Sequence, residues 1–292
     1  MSKVWFITGS SRGLGLALTK AVLAAGDRVV ASARQPAQLN TLIEQYPERA
    51  LALELDVTHS ASARAAITRA VAHFGRLDVV VNNAGYANVS SIEDMSEDDF
   101  RAQFETNFFG VVNVTRAALS VLREQGSGHV IQISSIGGRL GSAGLSAYQS
   151  AKWAVGGFSE VLAREVGPLG VKVTIVEPGG FRTDWAGSSM RVEPYNEAYA
   201  GTIGAMSGYR NDPEAPRGDP KKAALALLKL AALEAPPLRL LLGSDALFLA
   251  KTISKQRAAE DEQWQALSAT TDFDGVPDFA DTPVGRFLSG RS

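Results

Sequence analysis

Short apolar segments alternate with longer amphipathic segments along most of this 292-residue chain. Several of the short segments, such as residues 4–7, are apolar at successive positions. This pattern is typical of parallel strands that helices cover on both faces. The repeated strand-then-helix order predicts an α/β fold built on a Rossmann-type, doubly wound parallel sheet. The predicted strands are residues 4–8, 28–33, 50–55, 77–82, 129–134, 172–177 and 238–242.

The segments between these strands carry apolar residues at helical spacing. Asp219 and Pro220 suit the N-cap and the first turn of the last helix before the final strand. The predicted helices are residues 14–25, 36–46, 60–74, 98–125, 146–165 and 220–233.

Two regions depart from the alternating pattern. Residues 184–218 are rich in Gly, Ser, Pro and Tyr and are long for a connection, which predicts a substrate lid or a disordered segment. Residues 244–292 begin with a helical pattern over 245–267 and end in a tail rich in Gly, Pro and Asp. We expect one domain over residues 1–243, with residues 244–292 as a C-terminal helical extension packed on that domain.

Composition excludes several classes of function. The net charge of −2 and the pI near 6.0 argue against a nucleic-acid or anionic-membrane partner. The chain has no cysteine, so disulfides and thiolate chemistry are excluded, and a reducing cytoplasm is the expected location. His59, His73 and His129 are scattered without ligand spacing, so we expect no metal site. No apolar run is long enough to span a bilayer.

Residues 8–15, Thr-Gly-Ser-Ser-Arg-Gly-Leu-Gly, follow the first predicted strand and open the first predicted helix. Their glycines permit a tight turn and let the backbone approach a pyrophosphate at a helix N-terminus. A glycine pattern alone is weak evidence, but here it lies in the strand–turn–helix context that a dinucleotide-binding loop requires. The predicted contacts in this loop are Gly9, Ser11, Arg12, Gly13, Leu14 and Gly15.

The end of the second predicted strand bears on the choice of cofactor. A free ribose 2′-OH is normally held there by Asp or Glu, whereas a 2′-phosphate favours Arg. No acidic residue lies between Asp27 and Glu44, and Arg34 follows the strand directly. Arg34 and Arg12 together favour NADP(H).

Further motifs follow in order. Residues 8–15 match TGxxxGxG, residues 82–85 read Asn-Asn-Ala-Gly, and residues 178–183 read Pro-Gly-Gly-Phe-Arg-Thr. Between the last two, Tyr148 and Lys152 form a YxxxK pair. On these motifs, residues 3–243 resemble the classical short-chain dehydrogenase/reductase family. The resemblance implies an NADP(H)-preferring enzyme similar to carbonyl reductases.

The resemblance also assigns roles to individual positions. It places the catalytic serine thirteen residues before the tyrosine, which selects Ser135 over Ser134. It gives Asn107 a structural and proton-relay role. The implied catalytic residues are Asn107, Ser135, Tyr148 and Lys152. The implied cofactor contacts beyond the glycine loop and Arg34 are Asp56, Val57, Asn83, Ala84, Gly85, Tyr148, Lys152, Pro178, Gly179, Phe181 and Thr183.

Carbonyl–alcohol chemistry needs such a set independently of the resemblance. The oxygen on the reacting carbon must gain or lose a proton as hydride moves. A free phenol has a pKa near 10, too high for a base at neutral pH, and a neighbouring ammonium is expected to lower it. Tyr148 and Lys152 are four residues apart and therefore lie one turn apart on one helical face. Ser135 is expected to hydrogen-bond the reacting oxygen, and Asn107 to anchor a water that links Lys152 to solvent.

The residues expected around the substrate are largely apolar and aromatic, with Arg139 and Arg191 as the nearby cations. We therefore expect a small apolar ketone, aldehyde or secondary alcohol. The predicted walls of the pocket are Tyr86, residues 137–140, Leu145, Trp185, Met190, Tyr195 and Tyr199.

Three other functions remain open from the sequence. One is an NAD(H)-dependent dehydrogenase of a hydrophobic, sterol-like alcohol. Another is a non-catalytic nucleotide-sensing module, which would not need Ser135, Tyr148 or Lys152. The third is a nucleotide-sugar epimerase of the extended type, which the spacing of Gly9, Gly13 and Gly15 disfavours. The resemblance also implies a homodimer or homotetramer that pairs through helices 98–125 and 146–165.

Overall fold

The computed structural model describes residues 2–183, 190–204 and 216–289. The chain divides into two compact units, Met1–Ala250 and Lys251–Ser292. About half of the predicted lid, residues 184–218, lies outside the described residues, namely 184–189 and 205–215.

The first unit is built on one sheet of seven parallel strands in the order β3-β2-β1-β4-β6-β7-β9. Two further short strands, β5 and β8, form a separate parallel pair. The strands are β1 (Val4–Thr8), β2 (Arg28–Ala33), β3 (Ala50–Glu54), β4 (Val79–Asn82), β5 (Ala87–Val89), β6 (Gly128–Ile133), β7 (Val171–Pro178), β8 (Met190–Val192) and β9 (Arg239–Leu242).

Helices connect the successive strands of the seven-stranded sheet. The described α-helices are α1 (Gly13–Ala24), α2 (Asn40–Gln45), α3 (Ser60–Phe74), α4 (Glu97–Phe104), α5 (Gly110–Gln125), α6 (Ser146–Val166), α7 (Pro220–Ala232), α8 (Ser244–Ala269) and α9 (Pro283–Ser289). The predicted cap of α7 is present, since the Asp219 carboxylate accepts from the amide of Lys221 at 2.8 Å and Pro220 occupies the first turn.

The two faces of the sheet bury alternate residues of the same strands. Val4 and Phe6 of β1 pack in one core cluster with residues of α3, α5 and α6. Trp5 and Ile7 pack in a second cluster with residues of α1 and α7. Because each strand is covered on both faces, its side chains are apolar at successive positions. The predicted doubly wound Rossmann-type sheet is confirmed.

The sheet order places the carboxyl ends of the central strands together. From β1 the chain builds outwards to β2 and β3, and it then returns to place β4 on the other side of β1. Ligands of open α/β sheets bind beside this switch point, outside the carboxyl ends of the strands. Thr8 ends β1 and Asn82 ends β4, so the loops that follow these residues border the same crevice.

The helix predicted over residues 98–125 is interrupted. It consists of α4, a π-helical turn at Glu105–Phe109, and α5. Single π-helical turns insert an extra residue into a helix and occur often at functional sites. The predicted helix 36–46 likewise begins as a 3-10 turn at Pro36–Leu39 before α2.

The second unit contains the C-terminal part of α8, a 3-10 turn at Phe279–Asp281 and helix α9. Asp278 caps the 3-10 turn by accepting from the amide of Ala280 at 2.8 Å. The packing of the extension on the first unit stays a prediction. No helix within the described ranges combines the length and the apolar character needed to cross a membrane.

His129 in β6 is a buried titratable group within the sheet and is 3% exposed. Because the Thr174 hydroxyl donates to the carbonyl of Pro237, its oxygen accepts from His129 Nε2 at 2.9 Å. Burial, together with the charges of Lys172 and Lys3, lowers the pKa of His129 from 6.5 to about 4. The imidazole is therefore neutral in the folded protein at neutral pH.

We predict that His129 makes the protein less stable in mild acid. Between pH 6.5 and about 4 the unfolded chain binds a proton that the folded chain does not, so the free energy of unfolding falls as the pH falls. From pH 7 to pH 5 this loss amounts to about 2 kcal/mol. Urea unfolding at both pH values, compared with His129→Gln, measures it, and the exposed His73→Gln is the matched control. An equal loss in His129→Gln and wild type would contradict the assignment.

Candidate active site

A cleft of about 1470 Å³ lies within the first unit, and the turns that follow the carboxyl ends of β1, β4, β6 and β7 contribute to its walls. Most of the predicted site residues border it. Those that line the cleft are Gly9, Ser11, Arg12, Gly13, Leu14, Arg34, Asp56, Val57, Asn83, Ala84, Gly85, Ser135, Tyr148, Lys152, Pro178, Gly179, Phe181 and Thr183. Gly15 and Asn107 do not line the cleft, but each lies next to a residue that does: Gly15 next to Gly9, and Asn107 next to Gly85.

The glycine loop is shaped so that side chains would not fit. Gly9 and Gly13 have φ values of +66° and +55°, in the left-handed region that favours glycine. A Cβ atom on Gly15 would lie 2.2 Å from the carbonyl oxygen of Gly9. Gly15 therefore lets the start of α1 pack against the turn that opens the cleft.

The N-terminus of α1 fits a dinucleotide phosphate. Arg12 is the N-cap residue, and its side chain makes no capping hydrogen bond to the helix. The first turn contains no acidic residue. The first amides of a helix need external acceptors, and they attract anions. The residues present thus match the phosphates of a nicotinamide dinucleotide.

Thr8, which the sequence reasoning did not single out, joins the loops after β1 and β4. Its hydroxyl oxygen accepts from the amides of Asn83 at 2.9 Å and Ala84 at 3.0 Å. The Asn83 side chain in turn donates to the carbonyl oxygen of Thr8 at 2.9 Å. These bonds fix the Asn-Ala-Gly turn against the glycine loop.

Arg34 and Asp56 border the end of the cleft next to β2 and β3. Burial raises the pKa of Asp56, but hydrogen bonds from the Thr58 hydroxyl and amide and electrostatic interactions with His59 and Arg34 outweigh it and lower the pKa overall. Arg34 therefore lies close enough to Asp56 for a direct charge interaction. This end of the cleft holds a cation where an NAD-preferring site would normally hold an acid.

Ser135 and Tyr148 lie together at the other end of the cleft. Ser135 follows β6, and its hydroxyl accepts from the amide of Gly137 at 3.0 Å, which starts a 3-10 turn. Ser135 also forms a side-chain hydrogen bond with Tyr148. The predicted serine and tyrosine are thus within hydrogen-bond contact.

Lys152 lies on the same face of α6 as Tyr148 and is 3% exposed. Its Nζ is 5.6 Å from the centre of the Tyr148 ring and donates to the carbonyl oxygen of Ile133 at 2.8 Å. Burial lowers the pKa of Lys152 to about 8, so the ammonium form predominates at neutral pH.

The expected lowering of the Tyr148 pKa is wrong. Burial raises the pKa of Tyr148 to about 12, and the hydrogen bond with Ser135 offsets only part of that rise. A neighbouring ammonium favours the phenolate, but burial removes water from around the phenol and disfavours its charged form. Tyr148 therefore carries its proton at neutral pH.

Asn107 lies in the π-helical turn and is fully buried. Its amide nitrogen donates to the carbonyl oxygens of Tyr86 at 2.8 Å and Gln103 at 2.9 Å, and its oxygen accepts from the amide of Tyr86 at 3.2 Å. A Cβ atom on Gly85 would lie 2.5 Å from that oxygen and 3.6 Å from Lys152 Nζ. The side chain thus holds the turn next to Lys152.

An ion cluster around the buried Glu177 was not predicted. Glu177, the penultimate residue of β7, is fully buried and accepts from Arg139 at 2.6 Å and from Arg239 at 2.5 Å. Arg239 also bonds Glu160 of α6. The cluster ties the segment after Ser135 to β7 and β9, and Arg139 therefore serves the fold rather than the substrate wall.

Some of the residues predicted to form the substrate wall line the cleft, and others do not. Tyr86, Gly137, Leu140, Leu145 and Met190 line the cleft, as does Arg191. Tyr195 and Tyr199 pack instead against the cluster that contains Leu145 and Tyr148, and Trp185 lies outside the described residues. Lining residues that were not predicted include Val89, Ser142, Gln149, Val192, Arg217, Asp245 and Leu249.

Strands β5 and β8 carry part of this wall. They pair in parallel at Ala87↔Met190 and Val89↔Val192. Each strand is three residues long, too short to give a clear periodic signal in the sequence. Val89, Met190 and Val192 of this pair pack in the cluster that contains Tyr148 and also line the cleft, as do Asn88 and Arg191.

Comparison with known proteins agrees with this geometry. The model of the short chain dehydrogenase family matches residues 3–193. Oxidoreductase BOA17 of Botryotinia fuckeliana is 52% identical to this chain over 270 residues, which is 92% of the chain and 98% of that relative.

Solved structures agree as well. A short-chain dehydrogenase from Streptomyces avermitilis superposes with a TM-score of 0.88 at 42% identity, covering 94% of this chain and 100% of that one. An alcohol dehydrogenase from Thermococcus sibiricus, complexed with 5-hydroxy-NADP, gives a TM-score of 0.68 at 26% identity, covering 83% and 96%. The chain therefore belongs to the short-chain dehydrogenase/reductase family of NAD(P)-dependent oxidoreductases.

Proposed function

We propose that this protein is an NADP(H)-dependent oxidoreductase that interconverts an apolar ketone or aldehyde and the corresponding alcohol. The observation that carries the proposal is the position of Ser135, Tyr148 and Lys152 in the cleft that the glycine loop opens. A non-catalytic nucleotide-binding module would have no use for that set.

The residues divide the proton chemistry between them. When bound, the nicotinamide supplies or accepts the hydride. Tyr148 Oη donates its proton to the oxygen of the carbonyl substrate, and Ser135 hydrogen-bonds that oxygen as charge develops on it. The Lys152 ammonium stabilises the phenolate that remains. Asn107 fixes the turn beside Lys152, and a water held there returns the proton from solvent.

The protonation states of the site at neutral pH are compatible with carbonyl reduction. Burial raises the pKa of Tyr148 to about 12, so the phenol carries its proton before the reaction. Burial lowers the pKa of Lys152 to about 8, so the cation is present at the same pH. A protonated donor beside a charged neighbour is the combination that carbonyl reduction requires.

The charges at the β2 end of the cleft support NADP(H) over NAD(H). Arg34 follows β2, Arg12 is the N-cap residue of α1, and both line the cleft. The sequence has no Asp or Glu between Asp27 and Glu44 that would hold a free 2′-OH. The 5-hydroxy-NADP complex of the Thermococcus relative is consistent with this choice.

The substrate class follows from the walls around Tyr148. Val89, Leu140, Leu145 and Met190 present apolar surface to the cleft. Pockets of this kind bind ligands mainly through apolar contact, with a few polar groups that orient the reacting atoms. An apolar carbonyl compound suits this surface better than a phosphorylated sugar does.

Assembly and location are part of the proposal. Phe109, Trp153 and Val161 are 44%, 43% and 55% exposed, and they lie on or beside helices α5 and α6. These exposed apolar side chains support pairing of two or four copies through those helices. The lack of cysteine in the sequence supports a reducing, cytoplasmic location.

The proposed activity is tested with a panel of apolar ketones, aldehydes and secondary alcohols, followed by NADPH absorbance. With the best substrate, Tyr148→Phe is expected to lower kcat by about 10²–10⁴-fold, because the proton donor is lost. Its Kd for NADPH should stay within about twofold of the wild-type value, since the phenyl ring remains in place. Tyr46→Phe, outside the cleft, is the matched control. Near-normal turnover by Tyr148→Phe would refute the proposed chemistry.

The proposed cofactor is tested by measuring the Kd of NADPH and of NADH by fluorescence titration. Wild type should bind NADPH more tightly. Arg34→Ala should weaken NADPH by about tenfold while hardly changing NADH, because it removes a charge-assisted contact to the 2′-phosphate. Arg69→Ala on the exposed face of α3 is the control. Comparable or tighter binding of NADH by the wild-type protein would remove the NADP(H) assignment.

A further inference from the structure

Asp245 lines the cleft, although it lies far beyond the last recognised motif in the sequence. It is in the first turn of α8, directly after β9 and the connecting Gly243. One carboxylate oxygen, Oδ2, accepts from the amide of Gly180 at 2.7 Å. The neighbouring amide of Gly179 donates to the carbonyl oxygen of Leu242 at 2.9 Å. Two successive amides of the loop after β7 are thus held by the segment that leads into α8.

The surrounding glycines make this approach possible. A Cβ atom on Gly179 would lie 2.3 Å from both carboxylate oxygens of Asp245. Gly243 has a φ of +106°, and a Cβ atom there would lie 2.4 Å from Asp245 Oδ1. Any other residue at either position would push the carboxylate away from the loop.

The second carboxylate oxygen indicates a role toward a ligand. Asp245 Oδ1 is buried and has no hydrogen-bond partner among the described residues. A buried carboxylate oxygen without a partner is costly. Such a group persists where a bound molecule supplies the missing donor or where function requires the charge.

The position of the Gly179–Gly180 loop indicates which half of a bound dinucleotide Asp245 would contact. Strand β7 neighbours β6, and Ser135 follows β6, so the loop after β7 lies at the reactive end of the cleft. Arg34 and Asp56 lie at the opposite end, after β2 and β3. We propose that Asp245 is a positioning residue for the nicotinamide half of the cofactor: it anchors the Gly179–Gly180 loop and leaves one oxygen as an acceptor for a donor on the bound ligand.

This inference rests on the proposed function for the identity of the ligand, but the loop anchor is testable without any ligand. In the cofactor-free protein, Asp245→Ala should speed hydrogen–deuterium exchange in the peptide that contains Gly179 and Gly180. Asp245→Asn keeps one acceptor oxygen and should exchange at close to the wild-type rate. Unchanged exchange in Asp245→Ala, or equally fast exchange in both variants, would overturn the anchor.

The ligand-facing role is tested with two probes, NADPH and ADP-ribose 2′-phosphate, which lacks the nicotinamide. Asp245→Ala should raise the Kd of NADPH by about tenfold, the scale of one charge-assisted hydrogen bond, and should change the Kd of the fragment by less than about twofold. Asp245→Asn should fall between wild type and Asp245→Ala for NADPH, because its amide nitrogen replaces the unpartnered oxygen.

The controls separate the possible failures. Asp278→Ala removes a carboxylate that also accepts from a backbone amide, outside the cleft, and should change neither Kd nor exchange in this peptide. Equal weakening of both probes by Asp245→Ala, or weakening of neither, would overturn the positioning role. If wild type binds neither NADPH nor the fragment, the proposed function and the ligand-facing role fail together, and the exchange measurement still decides the anchor.

Discussion

The parallel sheet brings together side chains that lie far apart in the sequence. Because β1, β4, β6 and β7 are neighbours and run in one direction, the loops after them open on one edge. That edge holds the glycine turn, the Asn-Ala-Gly turn held by Thr8, Ser135, and the Gly179–Gly180 loop. Tyr148 and Lys152 join them because α6 packs against β7 and the core cluster on that face. Packing of strands that are apolar on both faces therefore determines where the chemistry is located.

Burial then determines what these groups can do. It raises the pKa of Tyr148 from 10.0 to about 12 and lowers that of Lys152 from 10.5 to about 8, so the two values are farther apart than those of the free side chains and their order is reversed. At neutral pH a phenol that holds its proton and a charged ammonium therefore lie side by side, with 5.6 Å between the centre of the Tyr148 ring and Lys152 Nζ. Asn107 and Gly85 fix the distance between this pair and the turn beside it. The site thus depends on desolvation and on close backbone approach as much as on direct charge attraction.

Long periodic segments and ordered motifs were predictable from sequence, whereas features set by tertiary contact were not. β1 and β2 matched residue for residue, because consecutive apolar residues have few other stable arrangements. The three-residue pair β5 and β8 gave no periodic signal, and the π-helical turn around Asn107 looks like ordinary helix in the sequence. The rise in the pKa of Tyr148 required knowledge of its burial. Asp245 does not lie in or next to any recognised motif in the sequence. It contacts Gly180 because the chain turns at Gly243.

The central claim is that a buried, protonated Tyr148 donates its proton while a charged Lys152 stabilises the phenolate. The most direct test is the single-turnover rate of NADPH-dependent carbonyl reduction, measured at saturating cofactor and substrate from pH 6 to pH 10. The rate is expected to be level in weak acid and to fall above about pH 8, where Lys152 loses its proton. Lys152→Met should be slower throughout and should show no fall near that pH. A wild-type rate that stays level to pH 10, or the same fall in Lys152→Met, would contradict the account.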